Sequence, residues 1–275
     1  MDIKSAQEAK RILSKAGIES AFTDTVVKKI PQIFVFDELS SSNQWLLDNL
    51  RLLNAGEMLC IADSQTSGRG RAARDWHSPA ASNIYMSFTI TTSEIAGIAS
   101  ISLVIGLALV RSLSRMGVND LALKWPNDVL LGSKKLAGVL IETKKYNDRI
   151  VLVVGIGINV DMPAEISFQS ELGWADLSAA GLSVADRNDI VAQVYAECEQ
   201  VVNQFMKKGF SSFRDEWESY DAFMDKGVSV INNNEVFCEG VESGLDDSGR
   251  LLIKTDAGVK PVHSGDVSLR KKHES

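Results

Sequence analysis

The stretch that decides the fold is residues 121–160, LALKWPNDVLLGSKKLAGVLIETKKYNDRIVLVVGIGINV. Apolar residues divide it into four strand candidates, at 121–124, 129–131, 136–144 and 150–160. The turn residues Gly132-Ser133 and Asn147-Asp148 lie between successive strands, and such tight turns predict hairpins. The stretch therefore predicts antiparallel pairing rather than a repeated strand-helix-strand winding.

The rest of the chain adds helices around these strands and a second group of strands. Further strands are predicted at 33–36, 58–62 and 84–90, and helices at 5–16 (with Gly17 as its C-terminal cap), 100–116, 189–207 and 211–223. After Gly227 the pattern changes to short strands with turn residues, at 228–231, 236–241, 251–254, 259–262 and 267–269. This pattern predicts an α+β protein that ends in a small β-barrel of about 50 residues.

The composition narrows the classes of function. The chain has 275 residues, 45% of them hydrophobic, and a formal net charge of −7, so it can bury a large core and is not expected to coat nucleic acid or a membrane surface. Its most apolar stretch, 95–110, is interrupted by glycine and serine and is short for a bilayer span. Cys60, Cys198 and Cys238 are too far apart for a disulfide framework or a metal site. We therefore expect a cytoplasmic protein without a membrane partner.

The most informative segment is 68–76, GRGRAARDW, which has three arginines within six residues of an acidic protein. Neither a helix nor a strand gains from this composition, but a loop that closes over an anion does. The backbone amides of Gly68 and Gly70 can approach a phosphate closely, and guanidinium groups bind phosphate in bidentate fashion. The alternatives are a solvated surface loop or a fragment of RGG-like RNA-binding sequence. The segment predicts a mobile anion-binding loop.

A second candidate segment is KWPND at 124–128, which is followed by KKLAG at 134–138. Lys124 ends an apolar strand, so we expect its ammonium group at a sheet edge that faces a cleft. Asn127 and Asp128 offer oxygen ligands that suit magnesium or ribose hydroxyls. Taken alone, a simple turn between two strands explains this segment better than a site does.

Two shorter segments complete the set. GIGIN at 155–159 lacks the third glycine of a dinucleotide-binding motif and does not open a helix, so we interpret it as a strand on which a flat ligand or another strand can lie. SSN at 41–43 precedes an amphipathic helix. Helix capping explains this serine pair adequately, and an anion or carbonyl site is the alternative.

Taken together, these segments resemble the biotin protein ligase family over about residues 33–270. The family's motifs stand in order: SSN at 41–43, Gln65, GRGR at 68–71, Trp76, KWPND at 124–128, KLAG at 135–138, GIGIN at 155–159 and VSLR at 267–270. Each motif is weak alone, but the ordered set is specific. The resemblance implies a central mixed sheet flanked by helices, as in class II synthetases, over 31–225, and an SH3-like domain over 226–275. A helical extension would occupy 1–30, in place of a DNA-binding domain.

The resemblance also implies a role for each site residue. Lys135, Arg69 and Arg71 would be the catalytic residues. Biotin would be bound by Ser41, Ser42, Asn43, Gln65, Arg69, Gly70, Arg71, Lys135, Gly138 and Gly157. ATP would be bound by Arg71, Arg74, Trp76, Lys124, Asn127, Asp128, Asn159 and Arg270, with Asp128 as a magnesium ligand. The loop departs from the family at Ala73, where glycine is usual, and at Ala72. If position 73 needs a positive φ, alanine costs about 1 kcal/mol there.

The implied activity is the ATP- and Mg²⁺-dependent formation of biotinyl-5′-AMP, followed by transfer of biotin to a lysine of a biotin carboxyl carrier protein of acetyl-CoA carboxylase. Members of the family often form homodimers. One alternative is a lipoate ligase or octanoyltransferase of the same fold. The 68–76 loop and KWPND make this alternative less favoured. Another is a biotin-sensing repressor. About 30 residues before the first core strand are too few for a helix-turn-helix domain, so we expect no DNA partner.

Overall fold

The computed structural model describes residues 13–93, 97–163, 172–180, 187–232, 235–265 and 267–271. Within these ranges the helices are α1 (Lys15–Ala21), α2 (Ser42–Asp48), α3 (Ile101–Arg115), α4 (Arg187–Lys208) and α5 (Arg214–Ser219). The strands of the first sheet are β1 (Gln32–Leu39), β2 (Met58–Gln65), β3 (Ile84–Thr92), β4 (Leu121–Lys124), β5 (Asp128–Leu131), β6 (Lys134–Tyr146) and β7 (Arg149–Ile158). Those of the second are β8 (Gly227–Asn232), β9 (Glu235–Leu245), β10 (Leu251–Thr255), β11 (Gly258–Val262) and β12 (Val267–Lys271).

The first sheet has seven strands in the order β1-β2-β3-β7-β6-β5-β4. The strands of residues 121–160 pair as the predicted antiparallel hairpins. β3 joins β7 in antiparallel fashion, whereas β1 and β2 are parallel, so the sheet is mixed. The predicted mixed sheet with flanking helices is therefore confirmed.

Helices cover both faces of this sheet. α3 packs against α4 and against β4 and β6, and it contributes most of its apolar residues to the main core. By length and composition the window Ile98–Arg115 is sufficient to cross a membrane, contrary to the expectation for the stretch 95–110. However, 67% of this window is buried inside the fold. α2 lies against β2, β3 and β7 on the other face, over a smaller apolar cluster. Both faces of the central part of the sheet are therefore buried under helices.

The second sheet is antiparallel, with the strand order β11-β10-β9-β8-β12, and it joins the first sheet through the end of α5. The amide of Leu123 donates to Tyr220 O at 2.7 Å, and Ala222 N donates to Leu123 O at 2.8 Å, so residues 220–222 pair with the edge strand β4. The indole of Trp125 donates to Gly249 O at 3.2 Å. The two sheets share one hydrophobic core, because Val230 of β8 and Ile253 of β10 belong to the same apolar cluster as α3.

Two predicted helices differ from the structure. The helix predicted at 211–223 is a 3-10 turn, Phe210–Ser212, followed by the short α5, because the chain from residue 220 pairs with β4 instead. The helix predicted at 5–16 falls mostly outside the described residues. α1 starts at Lys15 and runs through Gly17, so Gly17 is not a C-terminal cap; its amide donates to Ser14 Oγ, which caps the start of the helix.

A buried pair of carboxyl groups lies at the junction of the two sheets. Glu242 of β9 is fully buried, and neither of its carboxyl oxygens receives a hydrogen bond among the described residues. Burial raises the pKa of Glu242, and the neighbouring carboxyl of Asp221 raises it further. Burial likewise raises the pKa of Asp221. The pair therefore holds a proton at pH values where ordinary carboxyl groups are ionised.

This pair makes the stability depend on pH. Because the folded pKa of Glu242 is raised, its contribution to stability is full below the ordinary carboxyl pKa and is lost as the pH rises toward the raised value. Glu242→Gln replaces the protonated acid with a neutral amide, so we expect its Tm at about pH 8 to exceed that of the wild type by several degrees, at about 2–4 °C per kcal/mol. Thermal melts between pH 5 and 9 measure this, with the exposed Glu235→Gln as control. An unchanged pH dependence in Glu242→Gln would contradict the interpretation.

Candidate active site

A cavity of about 460 Å³ lies between the 68–76 loop and the first sheet. Every site residue predicted from the sequence lines this cavity except Arg270, which lies on β12 with an exposed side chain. The lining holds five cationic side chains and two carboxylates: Arg69, Arg71, Arg74, Lys124, Lys135, Asp75 and Asp128. The cavity is therefore an electropositive site within an acidic protein.

Neutral polar side chains form one end of the cavity. Gln65 Oε1 accepts from the backbone amide of Ser42 at 2.8 Å and from its hydroxyl at 3.2 Å. The Ser42 hydroxyl is 2.7 Å from Ser87 Oγ, which in turn donates to Asn43 Oδ1 at 2.6 Å. Ser41 Oγ accepts weakly from Gln44 N, so its capping role is present as well. This chain of buried hydrogen bonds holds each donor and acceptor in a fixed direction.

Gly155 of β7 makes room for this network. A Cβ at Gly155 would lie 2.4 Å from Asn43 Oδ1 and 3.0 Å from Asn43 Cγ, closer than real atoms approach. Asn43 itself is 3% exposed, so its amide has no space to move away without breaking its hydrogen bonds. The first glycine of GIGIN thus admits a protein side chain rather than a ligand.

Glu142 of β6 joins this network to the arginine loop. Its Oε2 accepts from Asn43 Nδ2 at 2.8 Å and from Arg69 Nη2 at 2.9 Å. The side chains of Arg69 and Glu142 are 39% and 26% exposed, so the ion pair lies at the mouth of the cavity. One carboxylate oxygen therefore connects the buried end of the cavity with the loop above it.

The loop folds back on itself in this structure. Arg69 and Asp75 form an antiparallel bridge, and Trp76 N donates to Gly68 O at 2.9 Å. The amide of Gly70 donates to Arg74 O at 2.6 Å. The sequence predicts that this amide can approach a phosphate, but in this conformation it stabilises the turn of the loop.

The backbone strain in the loop lies at Ala72 rather than at Ala73. Ala72 has φ 50° and ψ 43°, in the left-handed region, whereas Ala73 keeps helical angles. A residue with a Cβ pays roughly 1–2 kcal/mol in this region, which glycine does not pay. Alanine at position 72 therefore makes the observed loop conformation less favourable than it could be.

A pair of glycine substitutions tests this assignment. Ala72→Gly relieves the left-handed strain and is expected to bind biotin as tightly as the wild type or more tightly. Ala73→Gly relieves nothing and adds chain entropy, so it is expected to bind more weakly. We expect the two dissociation constants to differ about fivefold, corresponding to roughly 1 kcal/mol. Isothermal titration with biotin measures both, and equal affinities would refute the strain at Ala72.

The indole of Trp76 covers a pair of glycines on the floor of the cavity. Gly138 and Gly157 face each other across β6 and β7. A Cβ at Gly157 would lie 2.4 Å from Trp76 Cε2, and one at Gly138 would lie 2.9 Å from Trp76 Cζ3. The sequence predicts a flat ligand or another strand on the glycines of GIGIN, but in the structure the indole of Trp76 lies on the second of them, Gly157. Its buried Nε1–H has no acceptor among the described residues.

Lys135 and Asp128 form an ion pair beside this indole. Lys135 Nζ lies 2.7 Å from Asp128 Oδ1 and 5.0 Å from the centre of the Trp76 ring. The side chains are 25% and 17% exposed, so the ammonium group is partly desolvated yet faces the cavity. The predicted magnesium ligand is thus paired with the predicted catalytic lysine, and the described residues contain no cluster of three metal-ligating side chains.

Arg71 links the loop to the second sheet. Its guanidinium donates to Asn127 Oδ1 at 3.3 Å and to the backbone carbonyls of Ser264 and Gly265, in the turn before β12. Asn127 in turn donates to Val139 O at 2.9 Å. The second sheet therefore approaches the site through this turn, whereas Arg270 does not line the cavity.

Asn159 has a different environment from the one expected. Its Nδ2 donates to Lys135 O at 3.3 Å and to Ala175 O at 3.0 Å, and only 5% of the residue is exposed. These bonds tie the start of β6 to residues 172–176, so Asn159 supports the strand that carries Lys135. A contact with ATP stays a prediction.

Sequence reasoning missed three residues that shape the site. Ser87 and Glu142 lie within ordinary-looking strands, and Gly155 was interpreted as space for a ligand or another strand. Their role follows from strand pairing, which brings all three residues under Asn43. Gly155 pairs with Ser87 on one side and with Leu140 on the other, and Glu142 is two residues from Leu140. The only sequence signal for Ser87 and Glu142 is that each is a polar residue within a strand that is predicted to be buried.

Comparisons with known proteins give consistent results. A family model described as the Biotin/lipoate A/B protein ligase family matches residues 35–161, and one described as the Biotin protein ligase C terminal domain matches residues 223–270. The bifunctional ligase/repressor BirA of Escherichia coli (strain K12) is 36% identical over 241 residues, which cover 86% of this chain and 74% of the relative.

Two further relatives extend this result. The biotin--[acetyl-CoA-carboxylase] ligase of Paracoccus denitrificans is 27% identical over 227 residues, which cover 78% of this chain and 90% of the relative. The structure of the biotin protein ligase from Aquifex aeolicus in complex with biotin and ATP matches with a TM-score of 0.75 and 28% identity. That match covers 88% of this chain and 100% of the Aquifex chain.

Proposed function

The chain belongs to the biotin protein ligase family, and on that premise we propose that it activates biotin with ATP in this cavity and transfers the biotin to a lysine of a carrier protein. The observation that carries the proposal is the polarity of the cavity: a neutral end with hydrogen-bonded side chains lies beside five cationic side chains. Such a site suits a ligand that has a neutral polar ring at one end and a carboxylate at the other.

The neutral end is proposed to bind the ureido ring of biotin. Ser42, Asn43 and Gln65 offer hydroxyl and amide groups whose directions are fixed by hydrogen bonds. A neutral ring that both donates and accepts hydrogen bonds is recognised by such groups without a charge to desolvate. The carboxylate of biotin would then face Lys135 and the arginine loop.

The activation step needs cations rather than a protein nucleophile. The carboxylate of biotin attacks the α-phosphorus of ATP, which yields biotinyl-5′-AMP and releases pyrophosphate. Both reactants are anionic, so cations that are held in place before the reaction lower the barrier. Lys135 and Arg69 are proposed to act on the reacting groups. Arg71, Arg74 and Lys124 line the same cavity and are proposed to bind the nucleotide.

Magnesium fits the site as an ion that arrives on ATP. Mg²⁺ is usually bound by one or two carboxylates together with substrate phosphates and water. Asp128 provides one such carboxylate inside the cavity and would hold the ion, with Asn127 beside it. When bound, the ion neutralises phosphate charge. Asp128 must then share its interaction with Lys135 or give it up.

The loop is proposed to protect the adenylate until the acceptor lysine arrives. Biotinyl-5′-AMP is a mixed anhydride that water hydrolyses, so a closed loop over the cavity preserves it. The lysine amine of the carrier attacks the anhydride carbonyl, forms an amide bond and displaces AMP. The ion pair of Arg69 with Glu142 keeps the loop closed at one side, and Arg71 anchors it at the other.

We propose that the carrier is the biotin carboxyl carrier protein of acetyl-CoA carboxylase. The support is the name of the relative from Paracoccus denitrificans, a biotin--[acetyl-CoA-carboxylase] ligase. The experiment is transfer of radiolabelled biotin to that carrier domain in the presence of Mg-ATP, with a carrier whose acceptor lysine is changed to arginine as control. Label on the lysine carrier alone supports the proposal, and no label on it contradicts this choice of carrier. Homodimer formation, the absence of DNA and membrane partners, and a cytoplasmic location stay predictions from the sequence.

A further inference from the structure

Glu142 lies between two parts of the site that the proposed chemistry treats separately. On one side it accepts from Asn43 Nδ2, in the neutral end of the cavity, at 2.8 Å. On the other it accepts from Arg69 Nη2, in the loop, at 2.9 Å. Both bonds end on the same oxygen, Oε2. The role given above to this carboxylate is its ion pair with Arg69, and its contact with Asn43 has no role there.

The position of Asn43 depends on Glu142. Its carbonyl oxygen accepts from Ser87 Oγ, and its amide nitrogen donates to Glu142 and, at 3.5 Å, to Leu140 O. Gly155 closes the remaining side, because even a Cβ at that position would collide with the amide. The orientation of the buried amide is therefore set by a hydroxyl on one side and the Glu142 carboxylate on the other.

The position of the loop depends on Glu142 as well. Arg69 also belongs to the bridge with Asp75, so fixing Arg69 fixes the stem of the loop. An ion pair of two exposed side chains holds a loop only weakly. This pair is stronger than that, because the carboxylate is already ordered by its hydrogen bond to a buried amide.

We propose that Glu142 is a positioning residue that couples closure of the arginine loop to the orientation of Asn43. When Arg69 closes onto Oε2, the carboxylate is held where it also orients Asn43. When the loop opens, Asn43 loses part of that support. The biotin-facing end of the cavity is therefore fully formed only while the loop is closed. The effect on biotin binding rests on the proposed function. The effect of Glu142 on loop closure can be tested without any ligand.

The test uses the loop's own arginines as protease sites. Trypsin cleaves extended, accessible segments, so cleavage after Arg69, Arg71 and Arg74 is expected to become faster when the loop leaves the closed position. In the absence of biotin and ATP, Glu142→Gln is expected to speed cleavage within the loop roughly tenfold, and Glu142→Ala by more, because a charge-assisted hydrogen bond is weakened or lost. Mass spectrometry of the fragments measures the rates, and thermal melts show that the variants remain folded. Glu235→Gln, an exposed glutamate of β9, is the control that should match the wild type.

Two further measurements separate coupling from a local effect. In an Arg69→Gln background, Glu142→Gln should speed cleavage after Arg71 and Arg74 less than twofold, since its partner in the loop is already gone. In steady-state assays, Glu142→Gln should raise KM for biotin about tenfold while kcat changes much less. Cleavage of Glu142→Gln at the wild-type rate would overturn the proposal, and so would an undiminished effect in the Arg69→Gln background. Failure of the proposed function would look different: biotin would not protect even the wild-type loop from trypsin.

Discussion

Lys135→Ala is expected to lower the rate of biotinyl-5′-AMP formation by about 100- to 1,000-fold, because a preorganised charge at the reacting group contributes on this scale. Lys135 lies between Asp128 and the face of Trp76 on the floor of the cavity. Its removal has a second effect. It leaves Asp128 as an uncompensated carboxylate in a cavity that has to accept two anionic substrates.

Pyrophosphate release in the presence of biotin and Mg-ATP measures this effect. Lys134→Ala is the matched control, since Lys134 is the neighbouring residue of β6 but its side chain is exposed and does not line the cavity. The control should retain the wild-type rate. Wild-type activity in Lys135→Ala would remove this residue from the mechanism.

Gly155→Ala is expected to weaken biotin binding by about 10- to 100-fold, although it adds a single methyl group. The new Cβ would lie 2.4 Å from Asn43 Oδ1, so Asn43 has to move and its bonds to Ser87 and Glu142 break. Leaving buried polar groups without partners costs about 1–3 kcal/mol each. Titration with biotin measures the loss of affinity, and a thermal melt shows that the fold is retained.

The combination with Asn43→Ala shows whether this explanation is correct. If Gly155→Ala acts through Asn43, the double variant should bind biotin about as weakly as Asn43→Ala alone, because the methyl group then occupies space that the missing amide has vacated. Independent, additive losses would show that Gly155 acts in another way. Biotin binding by Gly155→Ala at the wild-type affinity would show that the network tolerates displacement.

The strands were the part of the fold that could be predicted best. The hairpins of residues 121–160 follow from local turn chemistry, and in the structure their strands pair in antiparallel fashion around the predicted turns. The parallel pairing of β1 with β2 could not be derived from local pattern, since it depends on a connection through α2. The helix predicted at 211–223 was too long for a similar reason: pairing with the edge of β4 outweighs the helical preference of residues 220–222.

The site residues could be predicted as a set, but their partners could not. Charge and glycine content identified the loop, and the cavity gathers the predicted cations. The sequence does not show that Lys135 is paired with Asp128, or that Arg69 is paired with Glu142, because these contacts depend on the register between strands and on the path of the loop. Ala73 was the candidate position for a positive φ, but the positive φ lies at Ala72, because the turn of the loop is set by hydrogen bonds within the loop.

The most direct test of the account is pyrophosphate release by the purified protein with Mg-ATP and either biotin or lipoate. The neutral, hydrogen-bonded end of the cavity is complementary to a ureido ring, whereas the dithiolane ring of lipoate offers Ser42, Asn43 and Gln65 neither an N–H donor nor a carbonyl acceptor. We predict biotin-dependent release and a rate with lipoate that is at least about 100-fold lower, as expected when buried polar groups lose their hydrogen bonds. Equal release with lipoate, or none with biotin, would contradict the central claim.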